Sequence, residues 1–136
     1  MGSENTKILE DAYQKWHDSK GRTVDHWMSI MTDDVDFRSL AQGCTGLEFT
    51  CNKTTKNDMG EYFKGLAETF EMVHYTVDRF ITEGDSVVVM GSTSWKHRNT
   101  GKVFDTPKVD VVTFKEGKIC AFYEYYDTAM VQEATC

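Results

Sequence analysis

Apolar positions recur at three- and four-residue steps early in the chain and at two-residue steps towards its end. Ile8, Leu9, Ala12, Tyr13 and Trp16 fall on one side of a helix over 4–19, which Gly21 ends. Thr23 caps a second, short helix with Val24, Trp27, Met28 and Met31 inward, and Asp33-Asp34 breaks it. Val35, Phe37 and Ser39 then alternate with Asp36 and Arg38, as in a half-buried strand. Residues 40–56 are polar with two glycines and read as a loop holding a short strand around Leu47 to Thr50. Asp58 and Glu61 form a capping-box pattern that opens a third helix, with Met59, Tyr62, Phe63, Leu66, Ala67 and Phe70 on one face. Four strands follow, near 73–83, 86–98, 102–115 and 118–127, punctuated by Glu83-Gly84-Asp85, Thr100-Gly101 and Glu116-Gly117. Residues 129–136 are expected to fray.

Helix, helix, strand, loop, helix and then four consecutive strands is an α+β order, with helices gathered on one face of an antiparallel sheet. Gly91 and Pro107 sit inside long strands and suggest bends that curl it. No linker or repeat interrupts 1–136, so one domain is expected. A curved, mostly antiparallel sheet wrapped around three N-terminal helices leaves a hollow between the layers.

Two acids, Asp110 and Glu124, lie within strands rather than turns. A carboxylate there faces water or has a task. If Lys115-Glu116-Gly117 is a three-residue turn, Asp110 faces Phe122 and Lys108 faces Glu124. Asp110, Val112 and Phe114 then share a face with Phe122, Glu124 and Tyr126. A two-residue turn puts the acids on opposite faces. The other face carries Val109, Val111, Ala121, Tyr123 and Tyr125, which calls for a second cover and predicts a homodimer.

The net charge of -7, with no basic stripe, argues against nucleic acid and anionic membranes as partners. The N-terminal residues lack the apolar stretch of a signal peptide, and no run is long enough to cross a bilayer. Cys44, Cys51, Cys120 and Cys136 show no metal spacing, nor do His26, His74 and His97. The cysteines read as free thiols of a reducing, cytoplasmic compartment. No glycine-rich phosphate loop is present. Neither a metal nor a cofactor is expected.

These residues carry a resemblance. The segments AYQKWHDSKG, WMSIMTDDVDFRS, the TGK hairpin and VDVVTFKEGKI ending in YEYYD follow one another from Tyr13 to Val131. In that order they resemble the nuclear-transport-factor-2-like superfamily, and within it SnoaL-like and ketosteroid-isomerase-like proteins. The resemblance implies a cone-shaped, cystatin-like α+β barrel. It matches Tyr13 to an oxyanion-hole tyrosine of ketosteroid isomerases and Asp110 to their protonated oxyanion-hole aspartate. Their base position reads Ser39 here. Glu124 matches a catalytic aspartate of limonene-epoxide hydrolases and Phe122 a pocket tryptophan, while their Arg-x-Asp pair reads Gly91-Ser92-Thr93. The implied catalytic set is Tyr13 and Asp110 as donors and Glu124 as acid/base, held ionised by Lys108. His17, one helical step from Tyr13, is an alternative base. Trp16, His17, Phe37, Ser39, Phe63, Val112, Phe122 and Tyr126 form the expected pocket wall. Two functions compete: a cofactor-free isomerase, cyclase or dehydratase acting on a small apolar carbonyl compound, and a non-catalytic hydrophobic-ligand-binding or dimeric scaffold module.

Overall fold

A computed structural model describes residues 2–136; Met1, included in the expected domain, lies outside the described residues. Helix α1 (Gly2–Asp18) and helix α2 (Val24–Ser29) precede strand β1 (Met31–Ser39). Helix α3 (Lys56–Thr69) leads directly into β2 (Phe70–Glu83), followed by β3 (Ser86–His97), β4 (Val103–Lys115), β5 (Lys118–Tyr126) and a closing helix α4 (Thr128–Ala134). The five strands form one sheet in the order β1-β5-β4-β3-β2, antiparallel except for the parallel β1–β5 pair. The expected α+β class and curved, mostly antiparallel sheet are present. The core is aromatic: Trp16 and Trp27 meet edge to face at 6.2 Å, and Trp16 meets Phe63 at 5.9 Å.

Several local expectations need correction. Asp33 and Asp34 do not separate helix from strand; they lie within β1, where its pairing with β5 slips between Met31 and Asp36 and turns both acids outward. Thr55, not Asp58, caps α3, its hydroxyl accepting from the Asp58 N–H at 3.0 Å. Residues 48–50 form a 3₁₀ turn, and the strand-like contact is made by Lys53 against Phe37. The C-terminal residues do not fray: Asp127 caps α4 by accepting from the Met130 N–H at 3.0 Å, and α4 buries Val131 and Ala134.

The β4–β5 register is the most consequential correction. The turn has two residues, Glu116 and Gly117, both left-handed with φ of 53° and 81°, and Lys115 faces Lys118. That turn alone would split the two acids between faces. The pairing jumps from Phe114↔Ile119 to Thr113↔Ala121, leaving Cys120 as an extra residue in β5. Beyond this bulge Val112 faces Phe122, Asp110 faces Glu124 and Lys108 faces Tyr126. The expected Asp110–Phe122 and Lys108–Glu124 pairings are therefore displaced by two residues, and an even displacement preserves the face. The bulge also reconciles two demands: Ile119 and Phe122 are three residues apart, yet both are buried.

Gly91 marks another tight point. It pairs with Val77, beside a slip in the β2–β3 register, and a Cβ added to it would lie 1.9 Å from the Thr76 carbonyl oxygen. Gly91→Ala is expected to destabilise the fold by about 3 kcal/mol in urea denaturation. Gly60→Ala, in α3 with no atom within 4 Å of the added carbon, is the control and should be neutral or stabilising.

Candidate functional site

Strands β4 and β5 carry three ionisable side chains on the inner face, and the surrounding elements bring phenols onto them. Asp110 is 1% exposed, Glu124 5%, and the Lys108 side chain 11%. Lys108 precedes Asp110 by the two-residue strand period, so both project inward beneath the helices. Its ammonium lies 2.7 Å from Asp110 Oδ1 and 3.3 Å from Glu124 Oε1, and so bridges the acids. The other Asp110 oxygen accepts from Tyr13 of α1 at 2.5 Å and from Tyr75 of β2 at 2.8 Å. Glu124 is held more loosely, with the Tyr62 hydroxyl of α3 at 3.1 and 3.2 Å from its two oxygens. Lys108 also donates to the Tyr75 oxygen at 3.0 Å.

Proton affinities follow from these contacts. Burial pulls the Lys108 ammonium down, but Asp110, Tyr75 and Glu124 together hold it well above its ordinary 10.5. Burial raises the Tyr13 phenol, reinforced by the charge of Asp110. Tyr62 is raised by burial and then by Glu124. Tyr75 is raised by burial and Asp110, with Lys108 acting against them. Tyr126 is raised by burial and Glu124, while its hydrogen bond with Ser39 and the charge of Lys108 act in the other direction. All these groups are therefore protonated at neutral pH.

The cluster forms one end of a chamber with about 100 Å³ of free space. That is smaller than the apolar cavity of about 150 Å³ that takes up benzene. Trp16, Trp27, Phe37, Phe63 and Phe122 build its sides. Leu47, Phe49 and Thr50 from the segment between β1 and α3, with Val131 from α4, complete the lining. A ligand larger than about one ring needs part of this lining to give way.

The structure brings Tyr13, Asp110 and Glu124 into one connected cluster, and Trp16, Phe37, Phe63, Phe122 and Tyr126 line the chamber. Three expected wall residues lie elsewhere. Val112 is wholly buried in the sheet–helix core. Ser39 is fully buried behind the wall, its hydroxyl 2.7 Å from the Tyr126 hydroxyl. His17 faces a surface groove between α1 and β2, and its Nδ1 already accepts from the Tyr75 N–H at 3.1 Å, which removes the lone pair a base needs. Asp110 meets three donors, Tyr13, Tyr75 and Lys108, where the resemblance implied a donor to ligand. Tyr62 and Tyr75 were missed as site residues. Tyr62 read as one more apolar position on α3. Tyr75 was hidden because Val73 bulges out of β2 and breaks the alternation that Phe70 and Met72 begin. That parity break is itself a signal in the sequence.

Among the described residues, no group of three or more His, Cys, Asp or Glu side chains is placed to hold a metal ion, and no helix is long and apolar enough to cross a membrane. A family model described as a SnoaL-like domain matches residues 10–122. Solved structures of similar shape include an NTF2-like protein from Burkholderia thailandensis, with TM-score 0.81 and 21% identity over 97% of each chain. Another, described as a SnoaL-like polyketide cyclase from Jannaschia sp. CCS1, has TM-score 0.80 and 17% identity over 98% of this chain and 92% of that one. TerC co-crystallised with polyporic acid has TM-score 0.79 and 20% identity over 97% of this chain and 98% of its own. At these identities the likeness concerns the fold. No curated protein sequence matches the chain.

The raised groups make a pH prediction. Lys108 and the phenols of Tyr13, Tyr62, Tyr75 and Tyr126 bind protons more tightly folded than unfolded. The stability they contribute is complete below the ordinary phenol value of 10.0 and is lost as pH climbs past 10.5 towards the raised folded values. Urea midpoints should therefore fall steadily above pH 10. At pH 7 Lys108→Met should cost about 3–5 kcal/mol, because it leaves two buried carboxylates facing each other.

Proposed function

The chain belongs to the SnoaL-like domain family, and from that premise we propose that its chamber binds a small, neutral carbonyl compound and moves a proton on it without a cofactor. The observation that carries this reading is the inner face of β5. Glu124 accepts only long hydrogen bonds, so it keeps acceptor capacity for a ligand proton. Two residues on, Tyr126 lines the chamber with its hydroxyl 2.7 Å from the Ser39 hydroxyl. In this reading Ser39 donates within that pair, which leaves the Tyr126 proton for a ligand.

Glu124 acts as general base on the carbon beside the carbonyl, and Tyr126 donates to the oxygen on which negative charge builds. Lys108 has its N–H groups committed and contributes its charge and the placing of Glu124. Tyr13 and Tyr75 anchor Asp110, which anchors Lys108. Returning the proton to a different carbon isomerises the compound. Attack of the enolate on a second carbonyl closes a ring, and loss of a β-hydroxyl dehydrates it. The cluster carries two carboxylates against one ammonium, so a neutral ligand is favoured over its carboxylate analogue. TerC's polyporic acid serves as a further probe compound.

Deuterium uptake next to the carbonyl of 2-tetralone, followed by proton NMR in heavy water, tests this reading. Glu124→Gln should slow the catalysed exchange by about 10²–10⁴-fold, and Tyr126→Phe by about 10²-fold. Both should keep the thermal shift that the ketone produces. A thermal shift in the wild-type protein without any catalysed exchange would instead favour a non-catalytic binding module, the second reading.

We also propose a homodimer through the outer face of β4 and β5. Tyr123 and Tyr125 stack there at 4.4 Å, and Tyr125 is 39% exposed. Light scattering at micromolar concentration should report a dimer, and Tyr125→Glu should shift it to monomer. A wild-type monomer would rule the interface out.

A further inference from the structure

The segment between β1 and α3 holds a second chemical pairing, outside the acid cluster. Lys53 is 3% exposed, and among the described residues no carboxylate forms an ion pair with it. Its ammonium donates to the Phe49 carbonyl at 3.1 Å, to the Cys51 carbonyl at 2.9 Å and to the Cys51 sulfur at 2.9 Å. Its main chain is fixed as well: the Lys53 N–H donates to the Phe37 carbonyl at 3.0 Å and its carbonyl accepts from the Phe37 N–H at 2.8 Å. The long side chain thus curls back from β1 and ends against the thiol. Cys51 is exposed and carries a free thiol. An exposed cysteine thus meets the end of a buried lysine side chain.

We propose that Cys51 and Lys53 are an oxidation site, at which hydrogen peroxide drives a covalent bond between Sγ and Nζ. In the first step the thiol and peroxide give a sulfenic acid and water. The peroxide O–O bond breaks, sulfur is oxidised by two electrons and peroxide is reduced by two. In the second step Nζ attacks the sulfur, the S–N bond forms and the S–O bond breaks. Of the two protons Nζ gives up, one leaves in water with the hydroxyl and the other goes to solvent. The product is a sulfenamide, the same condensation a sulfenic acid undergoes with a backbone nitrogen. The lysine nitrogen is favoured because it is already in contact with the sulfur, so the reaction has the advantage of a preorganised intramolecular step. The crosslink removes a cation that lacks an anionic partner. It also closes a short ring in the segment that supplies Leu47, Phe49 and Thr50 to the chamber wall, which stiffens the wall a ligand must displace.

The test treats the full chain with hydrogen peroxide, denatures it without reductant and digests it with trypsin. The intact chain should become lighter by about 2 mass units, the two hydrogens lost on crosslinking. Trypsin should stop cutting after Lys53, so that 39–56 appears as one peptide carrying the same mass loss. Dithiothreitol should reverse both changes. Cys51→Ser, at an exposed position, should fold normally and show neither. Lys53→Arg should leave a sulfenic acid at position 51 that dimedone traps. Normal cleavage after Lys53 overturns the proposal, whether position 51 is then found as a sulfinic acid or in a disulfide with Cys44. So does blocked cleavage that persists in Cys51→Ser.

Discussion

Asp110 and Glu124 stand directly opposite one another on the inner face of the sheet, where like charges repel and water is scarce. Lys108 is what makes that placement tolerable. Its ammonium lies between the two carboxylates, and the strand period that brings it inward is the one that brings Asp110 inward. The phenols of Tyr13, Tyr75 and Tyr62 then satisfy oxygens the lysine cannot reach. Each comes from a different element, α1, β2 and α3, so the cluster also ties the helical layer to the sheet. An apolar core could hold those layers together, but not in one fixed register. Hydrogen bonds to a buried charge specify position as well as contact.

This constraint explains why the irregularities matter more than the regular strands. A two-residue turn after Lys115 would have sent Glu124 to the solvent face; the extra residue at Cys120 returns it. The bulge at Val73 does the same for Tyr75. Both bulges can be read in the chain by parity. Ile119 and Phe122, like Met72 and Tyr75, are large apolar or aromatic residues at odd spacing, and a regular strand cannot bury both members of such a pair on one face. The helix–strand order, the strand limits to within a few residues and the fold class all follow from local periods and turn residues. Register does not, because a turn's backbone shape and a bulge some residues away must be known together. Helix α4 escaped for a related reason. With seven residues its period is too short to stand out, and it persists through the Asp127 cap and the burial of Val131 and Ala134.

The site was legible in membership more than in roles. Tyr13, Asp110 and Glu124 do gather, but Tyr13 and Asp110 are 97 residues apart and the direction of the proton between them depends on a third group. Reading Asp110 as a protonated donor ignored what stands two residues before it. With Lys108 in contact, the carboxyl accepts, and the Tyr13 proton is committed to it. A donor for a ligand oxygen must then be sought elsewhere along the wall.

Ser39 supplies that donor indirectly. A carboxylate at this position would face Tyr126 as an acceptor, claim the phenol proton and add a further negative charge beside Glu124. A serine can instead donate to the phenol oxygen. On the proposed reading the same phenol is then a donor to a ligand, two residues from Glu124. The change at position 39 therefore need not remove acid–base chemistry from the fold. On the proposed reading the base lies across the parallel β1–β5 pair, at Glu124, the register partner of Ser39.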